Sequence, residues 1–240
     1  MPMPAEWQEY SYWNSDQSEP LENGLSEHLR LGKLALMAGM TATTARIFAA
    51  RSTIRKEGDL ETMVSEVVSG SASCRCTLPD GRTMLASILL PGDMIGVSSL
   101  IDGSRSGSVE ARTQMSVRSL SHAEVLRLAA EKPDVALWLL WHQTRENNRS
   151  NEWMAVLSHG NAREKIAFLL LDLYRRLQRE AHVGDVPVRV PLTQREIGER
   201  LGLTLPHVCR TVALFRERGI VEVFYGGIDI LSPHALMART

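Results

Sequence analysis

The chain has 240 residues, enough for one large domain or two smaller ones with a buried core. With 44% hydrophobic and 23% charged residues, its composition is that of an ordinary globular protein. The apolar runs are much shorter than the roughly 20 residues of a membrane span, and the first residues lack the pattern of a signal peptide. Three cysteines are too few for a disulfide framework. We therefore expect a cytoplasmic protein with free thiols and no membrane partner.

The net charge of −1 hides an asymmetry along the chain. Residues 1–160 hold 15 basic and 19 acidic side chains, whereas residues 161–240 hold 12 basic and 9 acidic ones. The mildly basic C-terminal third is compatible with a nucleic-acid surface. An arginine-rich genome would explain it equally well, since 23 of the 27 basic residues are arginine.

Residues 1–24 are polar and acidic without a periodic pattern, which predicts an N-terminal extension. The extension also carries four aromatic side chains, which indicates that it packs onto the body of the protein: Trp7, Tyr10, Tyr12 and Trp13. From Leu25 to Met40 the apolar spacing then predicts a short helical region.

Between Ile47 and Leu120, short apolar stretches alternate with turns. Turn glycines recur every 11 or 12 residues, at Gly58, Gly70, Gly81 and Gly92. This spacing is typical of a small antiparallel barrel or jelly roll. No alternation of helices and strands is present, which argues against a nucleotide-binding Rossmann sheet.

Pro133 is predicted to open a long helix that ends near Ser158, because proline suits a first helical turn. Apolar residues fill both ends of this segment, and its middle, from Gln143 to Asn151, is polar. Such a helix is longer than a core helix needs to be. Two interpretations remain open: a dimer interface between two such helices with a polar, hydrated centre, and a solvent-exposed connector between domains.

The C-terminal third predicts three helices and a hairpin. Thr193-Gln194-Arg195-Glu196 is a capping box at the start of one short helix, and Gly202 is a C-terminal cap residue. Thr204 is placed to cap the next helix, with Pro206 tolerated in its first turn.

On that next helix, the i, i+4, i+7 spacing of Val208, Val212 and Phe215 defines an inner face, and Arg210 points outward. Two short helices joined by a tight glycine turn and followed by a hairpin predict a winged helix-turn-helix, whose second helix enters the DNA major groove. An αα-hairpin that serves only for packing is the alternative.

At these residues the chain resembles the Crp/Fnr family of bacterial transcription regulators. The segments similar to the family's helix-turn-helix signature are Leu192–Gly198, Leu201–Thr204 and Val208–Thr211. In the N-terminal half, five turns match those of the family's cyclic-nucleotide-type barrel: Glu57-Gly58-Asp59, Ser69-Gly70, Asp80-Gly81-Arg82, Pro91-Gly92-Asp93 and Ile95-Gly96.

The resemblance implies an α+β fold, with an N-terminal antiparallel β-barrel or jelly roll, a long dimerisation helix and a C-terminal winged helix-turn-helix. The resemblance covers roughly residues 45–235, and we expect an extension at 1–24, a sensor barrel at 25–130, the dimerisation helix at 131–160 and the DNA-binding domain at 161–240. It further implies a homodimer on inverted-repeat promoter double-stranded DNA. We also expect RNA polymerase as a partner, no bound cofactor and no catalysis.

The resemblance also assigns candidate site residues. The candidate DNA-binding residues are Thr193, Thr204, Pro206, His207, Cys209, Arg210 and Thr211. The candidate effector pocket is formed by Gly96, Val97, Arg105 and Ser106, of which the Arg-Ser pair resembles the family's phosphate-binding pair.

Two departures from the family pattern concern recognition. Cyclic-AMP-binding members carry a glutamate directly after the glycine that matches Gly96, whereas Val97 stands here and accepts no hydrogen bond. We therefore expect that cyclic AMP does not control this protein, and that its effector is another small molecule or none. Many members also carry a glutamate four residues before the recognition arginine, where Pro206 stands here, so the usual half-site sequence does not follow.

The cysteines argue against two cofactors of the family. No cysteine precedes Cys74, whereas oxygen-sensing members hold an iron–sulfur cluster near the N-terminus. No Cys or His lies in Gly96–Leu100, near which haem-binding members place a ligand. Cys74 and Cys76 share one face of a predicted strand. Two thiols supply only half of the ligands of a metal site, and the alternative is that both are small core residues. We expect no metal. Oxidation of Cys209, beside Arg210, is expected to weaken DNA binding, unless it is only a small, partly buried residue.

Two functions of other classes compete with DNA binding. One is a cyclic-nucleotide-binding sensor module whose C-terminal helices dock a protein partner. The other is an enzyme, but Gly103-Ser104-Arg105-Ser106-Gly107 has arginine where a nucleophile elbow needs serine, and the sequence contains no P-loop or HExxH motif.

Overall fold

A computed structural model describes residues 24–103, 107–181 and 188–237. The helices are α1 (Leu25–Thr41), α2 (Ser99–Asp102), α3 (His122–Glu131), α4 (Pro133–His159), α5 (Ala162–Ala181), α6 (Gln194–Leu201), α7 (Leu205–Glu217) and α8 (Pro233–Met237). The strands are β1 (Arg46–Phe48), β2 (Thr53–Arg55), β3 (Met63–Ser69), β4 (Ala72–Thr77), β5 (Thr83–Leu89), β6 (Met94–Ile95), β7 (Ser108–Ala111), β8 (Met115–Ser121), β9 (Val188–Val190), β10 (Val221–Phe224) and β11 (Gly227–Ile230).

The N-terminal half contains two four-stranded antiparallel sheets, in the orders β1-β8-β3-β6 and β2-β7-β4-β5. Their facing side chains form one apolar core, to which Val67 and Val117 contribute from the first sheet and Ala72 and Val109 from the second. All four predicted turn glycines have positive φ, between 81° and 88°. At Gly70 a side chain would also collide with the backbone of Gln114. The predicted antiparallel β-structure is therefore confirmed.

Three helices pack together beside the first sheet, where α1 and α3 contact β8 and α4 contacts both of these helices. The predicted helical region before the barrel is α1, which packs against α4 so closely that a side chain at Gly32 would collide with the carbonyl of Asp134. Helix α3 was not predicted, although Ser121 and Glu124 have the capping-box spacing at its start. The Ser121 amide donates to Oε2 of Glu124 at 2.8 Å.

Helix α4 begins at Pro133, as predicted, and ends one residue beyond the predicted Ser158. Only Val135, Trp138 and Trp153 are buried among its described side chains. The rest of its surface is partly or fully exposed along 27 residues.

The C-terminal part contains α5 to α8 and a three-stranded sheet in the order β10-β11-β9. The predicted hairpin is β10–β11, with Phe224 opposite Gly227. Strand β9 was not predicted; it is only three residues long and pairs with β11 through Val190 and Ile228. The predicted end of α5, at Gly184 and Pro187, lies outside the described residues.

The two halves share a hydrophobic core. Leu85, Ile88 and Leu90, on or next to β5, are buried in the same cluster as the inner residues of α5, α6 and α7. No helix within the described ranges has the length and apolar character that crossing a membrane requires.

Candidate nucleic-acid interface

The first helix of the helix-turn-helix, α6, is closed at both ends by the residues that the sequence predicts. Thr193 donates its backbone N–H to Oε2 of Glu196 at 2.9 Å, and Oγ1 of Thr193 accepts from the Glu196 amide at 3.3 Å. Gly202 ends the helix with φ +66°. A side chain at Gly198 would lie only 2.7 Å from the carbonyl oxygen of Leu203, so the turn between the two helices requires glycine there.

The second helix, α7, has one buried and one exposed face. Val208, Val212 and Phe215 are buried, as predicted. Five of the predicted DNA-binding residues are exposed on or before the first turns of the helix: Thr204, Pro206, His207, Cys209 and Arg210. Thr204 occupies the N-cap position but its side chain makes no capping bond. The exposure of Cys209 rules out the interpretation that it is a partly buried residue.

Thr211 does not belong to this exposed face, contrary to the sequence-based prediction. Its side chain is only 3% exposed, and Oγ1 donates to the carbonyl oxygen of His207 at 3.0 Å. The reason is helical geometry, since position 211 lies about 60° from Val208 on a 100° wheel and therefore faces the core. Thr193 is half-buried, and its hydroxyl donates to Oε2 of Glu196 at 2.7 Å, so the helix cap occupies it.

Further basic and aromatic side chains lie on the helix-turn-helix and the wing. Arg216 and Arg218 are exposed near its C-terminal end, and Arg195 is exposed on α6. In the wing, Arg189 pairs with Asp229 at 2.7 Å and its guanidinium lies 4.5 Å above the ring of Phe224.

The tip of the wing carries Tyr225, a fully exposed side chain that is not among the predicted DNA-binding residues. It stands in the two-residue turn of the β10–β11 hairpin, beside Gly226 with φ +80°. The exposure of Tyr225 could have been predicted from the sequence, since an aromatic residue at a predicted wing tip has no neighbours to pack against.

A cavity of about 290 Å³ lies between the sheets and α4, next to two of the four residues predicted to form an effector pocket. Gly96 and Val97 both line it. Gly96 has φ +84°, and a side chain there would collide with the carbonyl of Met63. Val97 is only 6% exposed and packs in the core beneath α1 and α4. The other two predicted pocket residues, Arg105 and Ser106, lie outside the described residues.

Polar groups from both sides also line this cavity. Asp93 contributes from the β5–β6 turn, and His142 and Glu146 contribute from α4. Burial lowers the pKa of His142, although Glu146 and Asp93 act in the opposite direction. Cys74, a free half-buried thiol, lines the cavity as well, and burial raises its pKa.

Cys76 is also free and half-buried. Across the described ranges, no group of three or more His, Cys, Asp or Glu side chains is placed to hold a metal ion.

Comparison with known proteins identifies both halves of the chain. The family model of the Crp-like helix-turn-helix domain matches residues 164–239, and that of the cyclic nucleotide-binding domain matches residues 45–132. The nitrogen fixation regulation protein FixK of Bradyrhizobium diazoefficiens is 29% identical over 78% of this chain and 77% of its own. The transcriptional activator protein FnrL of Cereibacter sphaeroides is 31% identical over 74% of this chain and 72% of its own.

Among solved structures, FixK2 from Bradyrhizobium japonicum superposes with a TM-score of 0.66 and 25% identity, covering 81% of this chain and 95% of that chain. These relatives are transcription regulators rather than enzymes. Members of their family bind DNA, typically as dimers. The chain belongs to the Crp/Fnr family of helix-turn-helix transcriptional regulators.

Proposed function

We propose that this regulator binds inverted-repeat promoter DNA as a homodimer and reads each half-site with the exposed face of α7. The observation that carries the proposal is the position of Arg210, which is exposed on the side of α7 opposite the buried Val208 and Val212. Arginine pairs with guanine N7 and O6 in the major groove, and early residues of a recognition helix reach base edges. His207 and Cys209 share the exposed face and lie beside the same groove.

The dimer contact that we propose is the exposed stripe of α4. Large apolar side chains lie at its two ends, with Leu140 66% exposed and Met154 60% exposed. Leu137, at 39%, extends the stripe towards the N-terminus. These positions continue at heptad spacing through three exposed polar residues, Thr144, Asn147 and Asn151. Apolar ends with polar centre positions are typical of a two-stranded seam whose register is set by its polar residues.

Control by cyclic AMP is not part of the proposal. The residue after Gly96 is the buried apolar Val97, so the ribose hydroxyl of a cyclic nucleotide would meet no carboxylate there. An unpaired polar group in a closed pocket costs about 1–3 kcal/mol. We propose that another small molecule, or none, occupies the cavity, and that RNA polymerase is the partner at promoters.

Selection of DNA fragments from a random pool by the purified full-length protein tests the proposal. We expect enrichment of an inverted repeat whose half-sites are about one helical turn, roughly 10 bp, apart. Binding should weaken steeply with salt, because phosphate contacts release counterions. Recovery of no sequence, or of a single half-site bound by a monomer, would contradict the proposal and favour a module that acts through a protein partner.

A matched pair of variants tests the dimer seam by light scattering. Leu140→Asp places a charge at an exposed apolar position of the stripe and should shift the protein to monomers. Leu126→Asp alters a leucine of similar exposure (54%) on α3, outside the stripe, and should leave the dimer intact.

A further inference from the structure

The sensor half and the DNA-binding half are joined at β5. Leu85 and Ile88 on this strand are at most 4% exposed, and they belong to the apolar cluster formed by α5, α6 and α7. A movement of β5 therefore displaces side chains on which the winged helix rests, because packed cores transmit strain.

Arg176 of α5 ties the end of this strand to the DNA-binding half. Its side chain is 9% exposed, Nη2 donates to the carbonyl oxygen of Ile88 at 2.8 Å, and the same nitrogen pairs with Oδ2 of Asp93. Asp172 lies 3.7 Å from Nη1. Burial by itself would lower the pKa of Arg176, but the two carboxylates outweigh this effect and raise it. The charge on Arg176 is therefore compensated by acidic groups from both halves.

Asp93 holds its own turn in place as well. Its Oδ2 accepts a hydrogen bond from the Leu90 amide at 2.6 Å, across a turn in which Gly92 has φ +81°. The same aspartate lines the cavity opposite His142 and Glu146. One carboxylate is thus shared by the cavity wall, the β5–β6 turn and α5.

We propose that the sensor cavity is coupled to the DNA-binding domain through the Asp93–Arg176 ion pair. A molecule that fills the cavity displaces Asp93. This displacement changes the contact between Arg176 and the Ile88 carbonyl at the end of β5, and it thereby repositions α5 and the winged helix. The inference is tested below by hydrogen exchange and by affinity for DNA, and only the second of these measurements rests on the proposed DNA binding.

Two double variants separate this contact from other contacts between the halves. Asp93→Asn with Arg176→Met removes both charges of the pair, so that neither partner is left as an unpaired buried charge. Asp172, the other carboxylate beside Arg176, keeps the nearby charges of Arg175 and Arg200. The matched control, Arg75→Gln with Glu199→Gln, removes another ion pair between the halves, with Nη1 to Oε2 at 2.8 Å, that does not line the cavity.

Cys74 provides a way to occupy the cavity without knowing the natural effector. In a parent protein carrying Cys76→Ser and Cys209→Ser it is the single remaining cysteine. Propyl methanethiosulfonate is the probe: the Cys74 thiolate attacks the sulfenyl sulfur, a disulfide to the propylthio group forms, and methanesulfinate leaves. The reaction is run at alkaline pH, because burial raises the pKa of Cys74. Dithiothreitol reverses it.

The first readout is hydrogen exchange of α5, which needs no DNA. Labelling should change amide protection across Ala162–Ala181 in the parent and in the control, and should leave it unchanged in the Asp93–Arg176 variant. An equal change in all three proteins, or no change in the parent, would overturn the coupling. A change in the parent that dithiothreitol does not reverse would overturn it as well.

The second readout is the Kd for the selected DNA. We expect at least about a fivefold change on labelling in the parent and the control, in the range of typical allosteric couplings, and less than about twofold in the Asp93–Arg176 variant. Equal responses in the three proteins would contradict the proposal. Titration of the unmutated protein with the selected DNA tests DNA binding separately, so the two proposals fail in different measurements.

Discussion

Arg112 and Glu196 form a bidentate ion pair that joins the N-terminal sheets to the first helix of the helix-turn-helix. Arg112 lies in the β7–β8 turn, and its Nη2 donates to Oε2 of Glu196 at 3.0 Å while Nη1 pairs with Oε1. Both side chains are mostly buried, with 14% and 17% exposed. The same glutamate closes the capping box with Thr193, so one carboxylate both starts α6 and docks it.

Glu196→Gln should lower the free energy of unfolding by about 3 kcal/mol, the low end of the range for breaking a buried ion pair. Glutamine still serves in a capping box, so the substitution isolates the ion pair from the cap. Urea unfolding at neutral pH measures the loss. The matched control is Asp80→Asn, which removes an exposed pair with Arg82 (77% and 51% exposed) and should cost less than about 1 kcal/mol.

The loss from Glu196→Gln should also depend on pH in a defined direction. Burial alone would raise the pKa of Glu196, but hydrogen bonds from Arg112 and Thr193 outweigh burial and lower it below the ordinary value of 4.5. The stabilisation is therefore complete above pH 4.5 and is lost as the pH falls through the lowered pKa. The difference between the two proteins should shrink in acid, and a difference that stays constant down to the lowest folded pH would contradict the assignment.

Cyclic AMP should neither bind this protein appreciably nor change its affinity for DNA. The physical reason is the apolar Val97 next to Gly96, which offers no acceptor for the ribose hydroxyl. Calorimetric titration of the full-length protein measures binding, and the Kd for selected DNA with and without the nucleotide measures the effect. Micromolar binding would show that the cavity recognises cyclic AMP through other groups.

The local features of the fold could be predicted from the sequence, since each depends on neighbouring residues. The capping box at Thr193, the positive φ of Gly202 and the spacing of Val208 and Val212 belong to this kind. The contacts between the halves could not, because Arg112 and Glu196 are 84 residues apart in the chain and meet only when β5 packs against α6.

The candidate site was predicted less completely than the elements that carry it. Thr211 was assigned to the DNA face by family resemblance, whereas the wheel that places Val208 inside also places Thr211 near the core. Asp93 was seen only as a turn residue, because nothing in Pro91-Gly92-Asp93 indicates that Arg176 lies against it.

Alkylation of Cys209 with N-ethylmaleimide should abolish specific DNA binding. The thiol is exposed next to Arg210 on the face of α7 that we propose enters the groove, so the added bulk would stand between helix and DNA. Cys209→Ser should bind DNA with or without the reagent, provided that modification is brief enough to spare the half-buried Cys74 and Cys76. Equal loss in Cys209→Ser would place the sensitive thiol in the sensor half. Peroxide should likewise weaken DNA binding by oxidising Cys209, and Cys209→Ser is again the control.

Arg210→Ala should weaken binding to the selected site by roughly 10- to 100-fold, since a paired arginine–guanine contact discriminates by about 1–3 kcal/mol. It should also abolish the preference for one G·C pair in each half-site, and by twofold symmetry the two positions should be affected together. Competition binding with each operator position varied in turn measures both effects.

Arg216→Ala and Arg218→Ala provide the comparison, because both side chains are exposed farther along the helix-turn-helix surface, at the C-terminal end of α7. If either arginine binds a DNA phosphate, its replacement should weaken all sequences about equally and reduce the salt slope by about one. The test therefore distinguishes recognition of a base from an electrostatic contact with a DNA phosphate. If Arg210→Ala keeps the full sequence preference and changes only the salt slope, Arg210 contacts phosphate, and the base-reading positions lie elsewhere on the exposed face, at His207 or Pro206.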